Sequence, residues 1–171
     1  MSLMGKDRVE LAVRRAEPRD LGALLDLLSQ VLEVHAAGRP DLFRSGTRKY
    51  SDEEVLAIVA DDARPVFVAG PATATGVVDE VWGYAFCVLE DYRASQNMQP
   101  MLTLYVDDIS VDAARRRQGV ASALYHHVVA YASELGCHNV TLNVWECNPG
   151  ARAFYEAMGM RPYKTGMEQV L

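Results

Sequence analysis

The chain has no apolar run long enough to cross a membrane, and its first residues lack the apolar core of a signal peptide. It has no excess of positive charge. Lys and Arg number 17 against 23 Asp and Glu, for a net charge of −6, which argues against nucleic-acid binding and suits cationic partners or simple solubility. It has little cysteine: Cys87, Cys137 and Cys147 are odd in number and lack metal-ligand spacing. That excludes a disulfide framework or a zinc site and leaves reduced thiols in a cytoplasmic protein as the expectation. The four histidines show no ligand pattern either, and His126 and His127 are assigned to the surface of a helix. Neither Gly-x-x-x-x-Gly-Lys-Ser/Thr nor Gly-x-Gly-x-x-Gly occurs, so a P-loop and a Rossmann dinucleotide fingerprint are both excluded. Repeats, low-complexity tracts and interdomain linkers are absent as well.

What remains is a globular composition: half of the 171 residues are hydrophobic and 23% are charged, enough for one domain with its own core. Residues 1–7 are set aside as disordered or an expression remnant, and residues 8–171 form the expected domain. Val9 to Val13 alternates as a first strand. Pro18 and Asp20 open a helix with Leu21, Leu24, Leu25, Leu28, Val31 and Leu32 at helical spacing. Glu33 to Tyr50 breaks the period, and a connection of that length carries function or moves. Ser51 with Glu54 is a capping box for a short helix. Pro65 to Ala69 and Val81 to Leu89 read as a hairpin, and Met101 to Val111 as the central strand. A helix from Gln118 to Leu135 ends at Gly136. A strand follows over Val140 to Val144, then a helix opened by Asn148 and Pro149, and a final strand over Arg161 to Val170. The order βααβββαβαβ predicts one α/β domain around a mixed sheet of about six to seven strands.

Chemistry concentrates in two segments. In Asp107 to Ala121 an acid-bearing strand runs into the basic turn Arg115-Arg116-Arg117, and the next helix opens on Gln118, Gly119, Val120 and Ala121. Amide N–H groups at a helix start, small residues and nearby cations make an anion cradle. Three arginines opposing the helix dipole make sense if an anion sits among them. In the second segment, Asn148 and Tyr155 are seven residues apart on one helix face, where a phenol could give a proton to a leaving group.

Together, in this order and about 30 residues apart, the two segments resemble the GNAT family of N-acetyltransferases, most strongly over Leu104 to Pro162. The resemblance implies acetyl-CoA as cosubstrate, no metal, and a cleft where the central strand and the next parallel strand splay apart. The pyrophosphate would lie on Arg116, Arg117, Gln118, Gly119, Val120 and Ala121. The pantetheine arm would pair with Ile109, Ser110 and Val111 as an extra half-strand. A bulge near Asp107 to Ile109 would aim an N–H at the thioester carbonyl. Asn148 and Ala151 match positions beside the cofactor, and Tyr155 matches the tyrosine that protonates the leaving thiolate. Cys147 is expected near the thioester as a bystander.

Attack requires a neutral amine, so a base must take a proton, directly or through water. Asp107, Asp108 and Glu146 are the candidates. Strand alternation puts Asp107 and Asp108 on opposite faces, so only one is expected to face the acceptor. The linker from Leu28 to Tyr50 and the loop from Glu90 to Pro100 would choose that acceptor. Acids and aromatics there suit a cationic amine, whereas Arg39, Arg44, Arg48 and Lys49 suit a carboxylate-bearing or peptide one. Small polyamines, amino acids, peptide N-termini and amine antibiotics all stay open. The alternative on the same fold is a non-catalytic acyl-CoA sensing module. The resemblance also implies a possible homodimer through the last strands.

Overall fold

The computed structural model describes residues 9–171; the segment 1–7, set aside above, lies outside the described residues. Along the chain come β1 (Leu11–Arg15), α1 (Leu21–Gly38), α2 (Asp52–Val59), β2 (Val66–Pro71), β3 (Gly83–Asp91), β4 (Leu102–Val111), α3 (Val120–Glu134), β5 (Asn139–Leu142) and α4 (Pro149–Ala157). The five strands lie in the order β1-β2-β3-β4-β5. The first four form an antiparallel meander, and β5 runs parallel to β4 after the α3 crossover.

Strand alternation divides the core between the two faces of this sheet. Val66, Val68, Tyr84 and Phe86 meet Leu24, Leu27 and Leu28 of α1 and Val55 and Ile58 of α2. Their neighbours Phe67, Ala69, Ala85 and Cys87 point the other way, onto Val120, Leu124, Val128 and Ala132 of α3. The Ser51 capping box forms as the spacing predicts: Glu54 N–H donates to Ser51 Oγ at 3.2 Å, and Ser51 N–H donates to Glu54 Oε2 at 2.7 Å.

Three expectations change. Among the described residues the sheet has five strands, not six to seven. The final strand over Arg161 to Val170 does not form: this segment has no regular structure, and Met167 and Val170 are 90% and 79% exposed. Its apolar residues do not alternate, and Pro162 and Gly166 interrupt it, so it offers neither a half-buried face nor a full ladder of donors. Third, His127 is not a plain surface residue. It is half-buried with its ring 4.7 Å from that of Phe67, and burial lowers its pKa.

The entry into α1 is held by a clasp. The Arg14 guanidinium donates to both oxygens of buried Asp20 at 2.7 and 2.8 Å, and to the carbonyls of Val78 and Arg15 at 2.9 and 3.1 Å. Asp20 Oδ2 also accepts from Glu17 N–H at 2.8 Å. Burial pushes the Asp20 carboxyl up, but the Arg14 fork and the Glu17 amide outweigh it and hold the pKa below its ordinary value. The clasp therefore stabilises fully above pH ~3.9, and its contribution is lost as pH falls through the lower folded value. Asp20→Asn strands a buried guanidinium and is expected to lower stability by about 3 kcal/mol in urea unfolding. It is also expected to flatten the acid limb of the stability profile.

Candidate active site

β3 and β4 fall out of step at one point. Phe86 opposes Asp108, whereas the next residue, Cys87, opposes Val106. Asp107 is thus an extra residue, a bulge at the expected place. On the other edge of β4, pairing with β5 ends at Val106 opposite Leu142. Beyond it the chain turns away through Asn143 and Val144 toward α4, so from Asp107 to Val111 that edge of β4 has no strand beside it. This is the expected splay.

The bulge overturns the expected separation of the two aspartates. Directly opposed residues of an antiparallel pair share a face, so Asp108 lies on the α1–α2 side with Phe86. There Asp108 Oδ2 accepts from Tyr84 Oη at 2.6 Å. Asp107 reaches the same side, where Oδ2 accepts from Lys49 Nζ at 2.9 Å. Both aspartates line one cavity of about 90 Å³ together with His35, Asn143, Trp145 and Tyr155. Burial raises the Asp108 carboxyl above its ordinary range, against opposing pulls from the Tyr84 hydroxyl, Lys49 and His35.

A second cavity, of about 200 Å³, adjoins the first. Val31, Ile109, Asn148, Ala151 and Tyr155 line both. Ser110, Val111, Arg116 and Ala121 line the larger one, with Val34 and Phe154. Of the predicted cofactor residues, Ile109, Ser110, Val111, Arg116, Ala121, Asn148, Ala151 and Tyr155 are thus gathered around one space. Arg117, Gln118, Gly119 and Val120 line neither cavity with their side chains. They form the turn itself: Arg117 and Gly119 have φ of +61° and +88°, and Val120 is buried beneath it. Gly119 caps α3 without a side-chain bond, so nothing bulky covers the first amides of the helix.

Asn148 caps α4 as expected, with Oδ1 accepting from Ala151 N–H at 3.1 Å. Tyr155 is fixed between rings, with centroids 5.1 Å from Phe154 and 6.3 Å from Tyr125. Burial, then the nearby Asp108 charge, pushes its phenol well above the ordinary value. The remaining candidates do not join the site. The Glu146 side chain is 92% exposed and reaches only Arg152, at 3.5 Å. Cys147 also lines neither cavity; a Cβ built on Gly38 would come within 2.6 Å of its Sγ, which places the thiol against the end of α1. Tyr84, Trp145 and the Lys49–Asp107 pair escaped sequence reasoning. Tyr84 alternates correctly as a strand residue, but only the β3–β4 register shows which aspartate it meets.

Known proteins share this architecture. A mutant of the BH1408 protein from Bacillus halodurans superposes with a TM-score of 0.82 at 29% identity, over 93% of this chain and 98% of that one. Glucosamine-6-phosphate N-acetyltransferase from Arabidopsis thaliana shares the fold, with a TM-score of 0.67 at 18% identity over 94% of this chain and 98% of that one. A probable glucosamine 6-phosphate N-acetyltransferase 2 from Oryza sativa subsp. japonica is 38% identical over 55 residues, which span 32% of this chain and only 31% of that protein. The profile of the Acetyltransferase (GNAT) family matches residues 30–160. The splayed strands, the uncapped turn and α4 all lie within those bounds, and the chain belongs to the GNAT acetyltransferase family.

Proposed function

We propose that this chain moves an acetyl group from acetyl-CoA directly to a primary amine, as one domain over residues 8–171. The observation that carries this reading is the convergence of the open β4 edge, the bare start of α3, and the Asp108 and Tyr155 side chains on two adjoining cavities. The residues fit the cosubstrate. The open edge at Ile109, Ser110 and Val111 offers main-chain groups to the pantetheine amides. The amides after Gly119, with Arg116 beside them, suit a pyrophosphate. Acetyl-CoA supplies the activated acyl group; the chain does the rest.

In this reading the amine arrives as an ammonium and gives one proton to Asp108, directly or through water. Asp107 is held by Lys49, which leaves Asp108 as the unpaired acid for the cation. The neutral nitrogen adds to the thioester carbonyl, and main-chain N–H groups at the bulge are the donors available to the oxygen that gains charge. As the C–N bond forms and the C–S bond breaks, the electron pair leaves on sulfur, and Tyr155 gives the thiolate its phenolic proton. The proton shed by the nitrogen restores the phenol through solvent. The balance is ammonium plus thioester to amide plus thiol plus one proton.

Three variants and the wild-type pH profile test this assignment. Tyr155→Phe is expected to lower kcat by about 100-fold while leaving acetyl-CoA affinity within about twofold by calorimetry; an equal loss of affinity would make Tyr155 a packing residue, and full activity would remove the acid. Wild-type kcat/KM should rise with pH through an ionisation displaced upward from the carboxylate range, because the raised Asp108 must lose its proton to act as a base. Asp108→Asn should abolish that limb and lower the neutral-pH rate by at least about 100-fold, and an unchanged profile would move the base elsewhere. Gly119→Glu places bulk and negative charge at a position with φ of +88°, and acetyl-CoA binding should weaken by at least about 100-fold.

A further inference from the structure

The acceptor side of the cleft contains charges of both signs, but few of them are available to a ligand. In the segment between α1 and α2, Arg39 is paired with Asp41 at 2.7 Å and with Glu168 at 2.9 Å. Arg48 is paired with Asp52 at 2.9 Å. Glu33 accepts from Ser45 Oγ and from Gly46 N–H, the latter at 2.7 Å. Arg44 is exposed and lines neither cavity. At the cavity itself Lys49 is set against Asp107, which leaves one formal carboxylate charge, on Asp108. Among the described residues the site therefore balances a single ammonium group, with no spare cation for a phosphate or carboxylate and no second acid for a further amine.

Aromatic surface faces this lone charge. His35 of α1, Phe43 of the connecting segment and Trp145 before α4 meet as a cluster. Their ring centroids lie 5.2 Å apart for His35 and Phe43, 5.4 Å for Phe43 and Trp145, and 6.3 Å for His35 and Trp145. His35 and Trp145 line the same small cavity as Asp108, and Trp145 is still 39% exposed. Rings beside a carboxylate bind a cation and the apolar body that carries it.

We propose that His35, Phe43 and Trp145 form an acceptor subsite for a monoamine with a flat or apolar body, an arylalkylamine in chemical class, whose nitrogen is delivered to Asp108. This proposal rests on the acetyl-transfer reading and narrows it. It ranks phosphorylated amino sugars and polyamines as poor acceptors, the former for want of a free cation and the latter for want of further acids.

The test uses the full chain, acetyl-CoA and thiol release, with phenethylamine and tryptamine set against spermidine and glucosamine 6-phosphate. The arylalkylamines are expected to exceed both others in kcat/KM by at least about tenfold, since ring contacts of this kind are worth on the order of 1 kcal/mol each. Trp145→Ala should raise KM for phenethylamine by about tenfold and leave acetyl-CoA affinity unchanged, with Trp145→Phe restoring most of the loss. Saturable quenching of tryptophan fluorescence by phenethylamine, absent in Trp145→Ala, reads the subsite without chemistry. Preference for spermidine or glucosamine 6-phosphate would overturn the subsite and leave acetyl transfer standing. Quenching without turnover of any amine would uphold the subsite and overturn acetyl transfer. Turnover of arylalkylamines that ignores Trp145→Ala and Phe43→Ala would also overturn the subsite.

Discussion

β4 carries one more residue than β3 between the pairs Phe86–Asp108 and Val106–Cys87, and the geometry of the cleft follows from that insertion. An unbulged strand would place Asp108 on the face of Val106, among the apolar residues packed on α3. There its carboxylate would lack partners and carry the full penalty of burial. The extra residue turns Asp108 to the opposite face, where the Tyr84 hydroxyl meets it. The same irregularity ends regular strand geometry where β5 leaves, so the unpaired edge of β4 begins at the bulge. An exposed strand edge ordinarily invites unwanted pairing; here α4 and the Asn148 turn stand across the gap and leave a cavity in place of a surface.

The wall opposite β4 depends on how α1 is held. Val31, Val34 and His35 come from its second half, far along the helix from its packed start. A helix entering at a different angle would carry those side chains away from the bulge. The Arg14–Asp20 clasp ties that entry to β1 and to the Val78 carbonyl in the loop between β2 and β3. Leu24, Leu27 and Leu28 then fix the rotation of the helix on the sheet. The clasp is satisfied at every contact named above, which is the condition under which a largely buried ion pair is tolerated.

Much of this could be read from residues alone, for local reasons. Capping boxes, Asn-Pro helix starts and two-residue alternation act over a few positions, so α2, α4 and the meander follow from the sequence. The turn at Gly119 was legible too, because a short connection between a strand and a helix has little freedom in where its amides point. The acceptor side was not. Lys49, Trp145 and Asp107 lie far apart in sequence, and their meeting depends on a one-residue register shift that leaves no mark in composition. The last strand failed for the opposite reason: Tyr163, Met167 and Val170 supply β-compatible residues, but without alternation local propensity does not make a strand.

Burial acts on Asp108 and Tyr155, which line one cavity, in directions that would both serve the proposed transfer. It raises the Asp108 carboxyl, which makes that carboxylate a better proton acceptor than a solvated one. It also raises the Tyr155 phenol, which keeps the proton on oxygen until a stronger base, such as a departing thiolate, is present. The Asp108 charge adds to the second shift, so the proposed base would itself keep the proposed acid protonated. Moving either group into water would relax both. A shielded cleft is therefore required by the proton chemistry as much as by binding. The rings at His35, Phe43 and Trp145 extend that shielding to the side from which the proposed amine would enter.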